Sequence, residues 1–242
     1  QPTLPESIGQ LAIAVDYYDI EVNNGVTRVG GSAILQRCYD DPEFRAGGGF
    51  CRLVDERNPA DGSLTVRDSY TNVATDRVNG IDYNVRFTRD VGPGLLTLNG
   101  SVTQYLEQTT QLFADDPEEN LTGTLTYPEF TGTADASFAW DTWRVRYGVE
   151  WVGEQDSTEY LGLDPADPDL DYVFDVDDYF IHNASVQYQA NDWTITAGLR
   201  NLFGATPPSI SSGAYNRVGN APLYSGYDYP GRTAFINLSR TF

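Results

Sequence analysis

Along most of its length the chain alternates apolar and polar residues with a period of two, the pattern of a half-buried strand rather than of a helix. Between residues 143 and 152, Trp143, Val145, Tyr147, Val149 and Trp151 share one parity, while Arg144, Arg146, Gly148 and Glu150 share the other. Leu96, Leu98 and Val102 alternate with Thr97, Asn99, Ser101 and Thr103, and Ile81, Tyr83, Val85 and Phe87 alternate with Asp82, Asn84, Arg86 and Thr88. Eight such segments can be traced, which predicts an all-β, antiparallel, up-and-down arrangement. Two arginines and a glutamate on one parity do not suit the dry core of a sandwich, because burying an unpaired charge is costly; they suit a wide, hydrated lumen. The expected sheet is therefore wet inside and apolar outside. A solvent-exposed antiparallel sheet would alternate in the same way, and the strand ends separate the two cases. Trp140, Trp143, Trp151, Tyr188 and Trp193 fall near predicted termini, where interfacial aromatic girdles belong.

Connection lengths supply a second clue. Very short turns at residues 92–94, 141–142 and 190–192 alternate with long connections at 23–71, 114–122, 153–177 and 204–230. Strict alternation gathers all the long connections at one end, as tight periplasmic turns and large extracellular loops do in a membrane barrel. Within the first long connection, residues 32–37 predict a helical turn, and residues 50–54 with 64–68 predict a hairpin around Asp61 and Gly62.

Charge narrows the function classes. The chain of 242 residues carries 15 Lys and Arg against 35 Asp and Glu, a net −20 that repels nucleic-acid phosphates, so no nucleic-acid partner is expected. No apolar run approaches the roughly 18 residues of a membrane helix, which bears on helices alone. The N-terminus has no basic region followed by an apolar one, so the expectation is a mature chain or a piece of a longer one. Cys38 and Cys51 flank a segment rich in Gly, Asp and Pro. A disulfide there would stabilise by about 3 kcal/mol in the chain-entropy model and would require an oxidising compartment; two free thiols are the alternative. Zinc is not expected, because a structural site wants four ligands and His182 is the one histidine.

The last forty residues are more specific. The run GLRNLF at 198–203, the segment 216–222 and the close YDYPGRTAFINLSRTF at 227–242 resemble the end of TonB-dependent receptors, where a penultimate strand of L-x-N-L-F type is followed by a loop and a final G-R strand ending in an aromatic. Residues 11–22, the cysteine loop and residues 78–85 are similar to internal strands of the same family. The resemblance implies that residues 1–242 are the C-terminal part of a transmembrane β-barrel. They would supply about eight strands of a 22-strand type with long extracellular loops, with the plug domain and N-terminal barrel strands outside this chain. It implies the outer membrane of a Gram-negative bacterium and, with no catalysis and no cofactor, energised uptake of a scarce nutrient such as a siderophore, cobalamin or an oligosaccharide. Implied partners are the remaining strands and the plug, from the same precursor or another chain, the TonB complex through that plug, outer-membrane lipid and the barrel-assembly machinery. Phe242, Leu238 and Ile236, with Ala234, would carry the assembly signal, and Arg240 departs from its apolar pattern. Two rival readings are a self-contained eight-stranded barrel acting as an anchor or adhesin, and a soluble acidic carbohydrate-binding β-sandwich.

Individual residues add little chemistry. Asp164, Asp167, Asp169 and Asp171, with Asp175, Asp177 and Asp178 beyond them, offer hard oxygens that Ca²⁺ accepts, though the spacing is not that of a twelve-residue calcium loop; a solvated anionic loop is the plainer reading. Tyr215, Tyr224, Tyr227 and Tyr229, with Tyr39 and Phe44, could stack on a substrate ring or pack within the loops. His182 falls on the apolar parity beside Phe180 and Ala184 and has no nucleophile near it in sequence. Gly47, Gly48 and Gly49 lack the following Lys and helix of a phosphate loop.

Overall fold

A computed structural model describes residues 8–40, 48–167, 169 and 171–241. Eight long strands account for most of it: β1 (Gln10–Arg28), β2 (Tyr70–Val91), β3 (Gly94–Gln111), β4 (Phe130–Trp140), β5 (Trp143–Val152), β6 (Tyr179–Ala190), β7 (Trp193–Arg200) and β8 (Thr233–Arg240). They are hydrogen-bonded in chain order in one sheet, with the two-residue strand Glu119–Asn120 added beside β3. β1 and β8 stand at the two ends of that order and are not paired with each other, so the eight strands do not close on themselves. The self-contained eight-stranded barrel is therefore not the arrangement adopted.

The chain divides into two compact units, residues 1–19, 78–108 and 121–242 in one and residues 20–77 and 109–120 in the other. In the first unit the antiparallel registers run without interruption, Trp140 opposite Trp143 on β4 and β5, Trp143 opposite Tyr188 on β5 and β6, and Ile195 opposite Leu238 on β7 and β8. Because cross-strand partners project to the same side, these registers merge the parities of the strands into two continuous faces. One carries Val145, Tyr147, Val149, Val186, Ile195, Ala197, Ile236 and Leu238; the other carries Thr133, Asp135, Arg146, Glu150, Asn183, Thr196 and Arg200. The tight turns hold their shape with Gly92, Asp141 and Asn191 at positive φ (56°, 48° and 49°), a region that glycine enters freely and that short polar side chains tolerate.

The apolar face is not a core. Ile236 is 81 % exposed and Leu238 60 % exposed, and Ile13, Val15, Tyr17, Ile20 and Val22 of β1 are each exposed over half or more of their surface. Eight of the buried hydrophobic residues gather in two clusters where the connections pack on one another and on the strand ends. Leu125, Phe174, Val176 and Ile210 pack with Leu161, Leu163 and Tyr215, and Val152, Tyr179, Ile181 and Tyr227 pack with Ala205, Tyr224 and Tyr229.

The second unit holds a helix, α1 (Gly31–Asp40), and a 3₁₀ turn at Gly49–Leu53. The helix is longer than the single turn that the sequence predicts at 32–37. Cys38 and Cys51 join the two elements as a disulfide. Arg37, on the last turn of α1, donates to Asp115 at 2.6 Å and to Asp116, and its guanidinium lies 4.3 Å from the ring centre of Phe113, against which Phe50 packs edge-on. Its hydrogen bond to Asp115 raises the guanidinium further above its ordinary value and holds the carboxyl of Asp115 below the usual carboxylate range. The hairpin expected from 50–54 and 64–68 forms from Leu53 onward, with Val54 opposite Val66 and the N–H groups of Arg67 and Asp55 donating to Leu53 O at 2.7 Å and Thr65 O at 2.9 Å; its first arm is shortened because residues 49–53 turn into the 3₁₀ segment tied to α1. Gly47, Phe44 and Phe242 lie outside the described residues. No helix among the described residues is long and apolar enough to cross a membrane.

Candidate functional site

On the polar face every strand from β2 to β7 contributes a charged or amide side chain to a cross-strand bond. Asn79 donates to Glu107 at 2.7 Å, Thr103 to Asp82 at 2.5 Å, Asn99 to Asp135 at 3.1 Å and Arg146 to Asp135 at 3.2 Å. Asn183 donates to Glu150 at 2.8 Å, and Arg200 places both terminal nitrogens on that carboxylate, at 2.5 and 3.0 Å. Asp135, Arg146, Glu150, Asn183, Arg200 and Phe235 line a recess of about 440 Å³ on this face. These ion pairs stay in contact with solvent, Arg200 and Glu150 at 43 % and 37 %, so each is worth no more than about 1 kcal/mol to stability. Their effect is to fix side-chain positions on a face that is otherwise wet.

The last long connection folds down onto this face. Asn201, fully buried at positive φ (53°), sits one residue beyond β7. Its side-chain amide donates to Ala205 O at 2.7 Å and to Asp228 Oδ2 at 2.9 Å, while its Oδ1 accepts from the Ala205 N–H at 2.7 Å. Asp228 is 6 % exposed and lies 3.8 Å from Arg200 Nε, and its backbone N–H donates to the Tyr179 hydroxyl at 3.3 Å. Next to it, the Tyr227 hydroxyl accepts from the buried Gln155 amide at 3.0 Å, and burial pushes its phenol up to about 12. Tyr229 closes the segment on itself: its hydroxyl accepts from the Tyr224 N–H at 2.8 Å and donates to the carbonyl of Pro222. Among the described residues no buried side-chain nitrogen or oxygen lacks a hydrogen-bond partner.

The apolar face carries aromatic residues at both ends of the strands. Where the short turns lie, Trp143 packs at a tilt against Tyr188 with ring centres 4.6 Å apart, Phe138 stacks on Trp140 at 5.4 Å, and the guanidinium of Arg240 sits 5.2 Å from the Trp193 ring centre. At the end of the long connections, Phe130, Trp151, Phe180, His182 and Phe203 form a row of rings 4.9 to 6.5 Å apart, and the Tyr147 hydroxyl meets His182 Nδ1 at 2.7 Å. Trp143 and Trp151 are eight residues apart on β5, and at about 3.3 Å per residue the two rows are separated by roughly 26 Å along the strand, the scale of an apolar barrel belt about 25 Å tall. His182 thus belongs to an aromatic row on the apolar face.

The other residues singled out in the sequence fall as follows. Asp164 and Asp167 turn their carboxylates onto the N–H groups of Ala166 and Asp169, both at 2.9 Å, and no group of three or more His, Cys, Asp or Glu is gathered as metal ligands among the described residues. Asp169 and Asp171 lie in the same exposed connection. Tyr215 packs into the Leu125 cluster and donates to the buried Ser157 hydroxyl at 2.8 Å; Tyr224 and Tyr229 are half-buried and Tyr227 is buried, so all four pack within the connections. Ile236 and Leu238 lie exposed on the apolar parity of β8. What the sequence reading missed is the buried set Gln155, Ser157, Asn201 and Asp228. Only Asn201 announces itself, as the Asn of the L-x-N-L-F run; polar residues inside a long connection carry no period that marks them as buried.

The protein-family model described as TonB dependent receptor-like, beta-barrel matches residues 6–202. Among solved structures, a point mutant of the ferric enterobactin receptor of Pseudomonas aeruginosa is 18% identical with a TM-score of 0.53, covering 96% of this chain and 29% of its own. The ferric enterobactin receptor in complex with BCV-L6 is 17% identical with a TM-score of 0.57 over the same shares, 96% and 29%. The chain thus spans less than a third of the length of these receptors. No curated protein sequence matches it.

Proposed function

The chain belongs to the TonB-dependent receptor-like β-barrel family, and from that premise we propose that it forms the C-terminal wall and outer loops of an outer-membrane receptor for energised uptake of a scarce nutrient. Members of this family are outer-membrane transporters and not enzymes, and they work with a plug domain and TonB. For a transporter the relevant chemistry is differential binding and passage, with no bond made or broken. The observation that supports the reading is the division of one sheet into two faces. The apolar parity, with aromatic rows at both ends, is exposed where a soluble protein would bury it, as lipid contact requires. Its opposite parity carries paired carboxylates, amides and guanidinia, as a hydrated passage requires. Unpaired edges at β1 and β8 would each expose a row of backbone groups, which costs several kcal/mol per group in lipid, so further strands must complete the wall. Those strands, a plug acting with TonB, and the barrel-assembly machinery reading Ile236, Leu238 and Phe242 are the partners in this proposal. The solute is a nutrient such as a ferric siderophore, cobalamin or an oligosaccharide.

The test is uptake by cells carrying the complete receptor, with labelled ferric siderophores, cobalamin and oligosaccharides offered one at a time. One class should accumulate, and an uncoupler of the inner membrane should abolish its accumulation. Accumulation no greater than in cells without the receptor, or indifferent to the uncoupler, would overturn the proposal.

A further inference from the structure

The segment 204–230 is held to the polar face at several points rather than by one contact. At its start Asn201 clamps Ala205 through two bonds; near its end Asp228 is gripped by the Asn201 amide and faces Arg200, which is itself fixed on Glu150 of β5. Between these, Tyr227 is wedged edge-on against Tyr179 at 5.1 Å and against Tyr224 at 5.3 Å and is tied to Gln155. Gly226 comes so close to the wall that a Cβ there would lie 2.9 Å from Val152 Cγ2. Beneath the segment, Ser101, Thr103, Thr131, Thr133 and Glu150 line a cleft of about 300 Å³ against Tyr224. A loop that swings on each cycle is drawn from the weakly packed end of a protein, with few buried contacts and solvated hydrogen bonds. This segment has the opposite character: Gln155, Asn201, Tyr227 and Asp228 are buried and hydrogen-bonded to one another or to the loop backbone.

We propose that Asn201 and Asp228 form a permanent latch, positioning residues that keep the segment 204–230 folded over the polar face as a fixed constriction rather than as a moving lid. The Asn of the L-x-N-L-F run then has a physical role, because its amide bonds the two ends of the following loop at once, which no apolar side chain does. Solute selection would in part be set by the immobile edge that Tyr224 and Gly226 present to the polar wall. The inference rests on the reading of that face as a passage.

Two measurements on the complete receptor in outer membranes test it. The first is the rate of tryptic cleavage after Arg217 in the native receptor, in Asp228→Ala, in Asn201→Ala and in Asp177→Ala, an exposed carboxylate in a different connection. Cleavage at least tenfold faster in the first two variants, and unchanged in the third, is expected; equal rates in all four would overturn the latch. The second leaves Asn201 and Asp228 in place and joins loop to wall with Val152→Cys and Gly226→Cys: a Cβ on Gly226 lies 2.9 Å from Val152 Cγ2, and the edge of the Tyr224 ring, 2.5 Å away, must turn aside to admit it. The crosslink should form without added catalyst, and uptake should be the same with it closed or reduced, with the native receptor as control for reduction of Cys38–Cys51. Uptake that stops when the crosslink closes and resumes on reduction would show that the segment moves. A receptor that takes up nothing would sink the proposed function, while cleavage and crosslinking would still report on the latch.

Discussion

Glu150 and Arg200 form a two-pronged ion pair although their strands are not neighbours: β6 runs between β5 and β7, and its Asn183 bonds the same carboxylate. Two strand spacings amount to about 10 Å, which only long side chains bridge. Shortening the acid to Asp should therefore break the pair even though the charge is kept. Glu150→Ala and Arg200→Ala should each cost up to about 1 kcal/mol, less than a fully buried pair because both groups touch water. The double variant should fall short of the sum. The shift in the heat-modifiability midpoint of the folded receptor on a gel measures all of these.

Adjacent residues on β7 should respond oppositely to the same change. Ala197 lies on the apolar parity between Val186 and Ile236, and Thr196 on the polar parity between Gln187 and Asn237. Arg at position 197 should cost about 2–4 kcal/mol, as a charge facing the lipid midplane does, while Arg at 196 should cost under about 1 kcal/mol. Folded fractions after refolding into bilayers would separate them; equal effects would contradict the face assignment.

Removing the Cys38–Cys51 disulfide, which closes a sequence separation of 13 residues, should loosen the second unit by about 3 kcal/mol in the chain-entropy model. The expected readout is faster proteolysis at Arg52 and Arg57 in Cys38→Ser/Cys51→Ser, with the β5–β8 hairpins as resistant as before. Uniform loss of resistance would mean that the bridge supports the whole sheet.

Tyr227 gives the loop an alkaline limit. Its phenol is raised by burial from 10.0 to about 12, so the folded form keeps a proton that the unfolded chain releases. The stability linked to it is full below pH 10 and is lost as pH rises toward 12. Tyr227→Phe should make that loss shallower while costing about 1 kcal/mol at neutral pH through the acceptor taken from Gln155. Heat-modifiability midpoints measured stepwise over this range would check both signs.

Strand positions and their faces could be read from the chain itself, because a period of two is a local property and lipid enforces it wherever a strand crosses. Trp143–Val152 begins and ends in the structure where its alternation does. β1, by contrast, continues to Arg28, well past the 11–22 pattern, and β2 starts at Tyr70. A crossing needs only about 10 residues, and beyond it the backbone ladder continues with no constraint on which parity is apolar. The short turns, the disulfide and the place of His182 on the apolar face were legible for the same local reason. Only the tertiary structure decided that the last connection lies inward, that Ile181 and Tyr179 on the polar parity are covered by Tyr227, and that Asn201, Asp228, Arg200 and Glu150 meet. Those contacts join residues 27 to 50 positions apart, most of them through a loop without periodicity. Their energy comes from mutual burial and hydrogen bonding once the wall is in place, which no stretch of the sequence displays by itself.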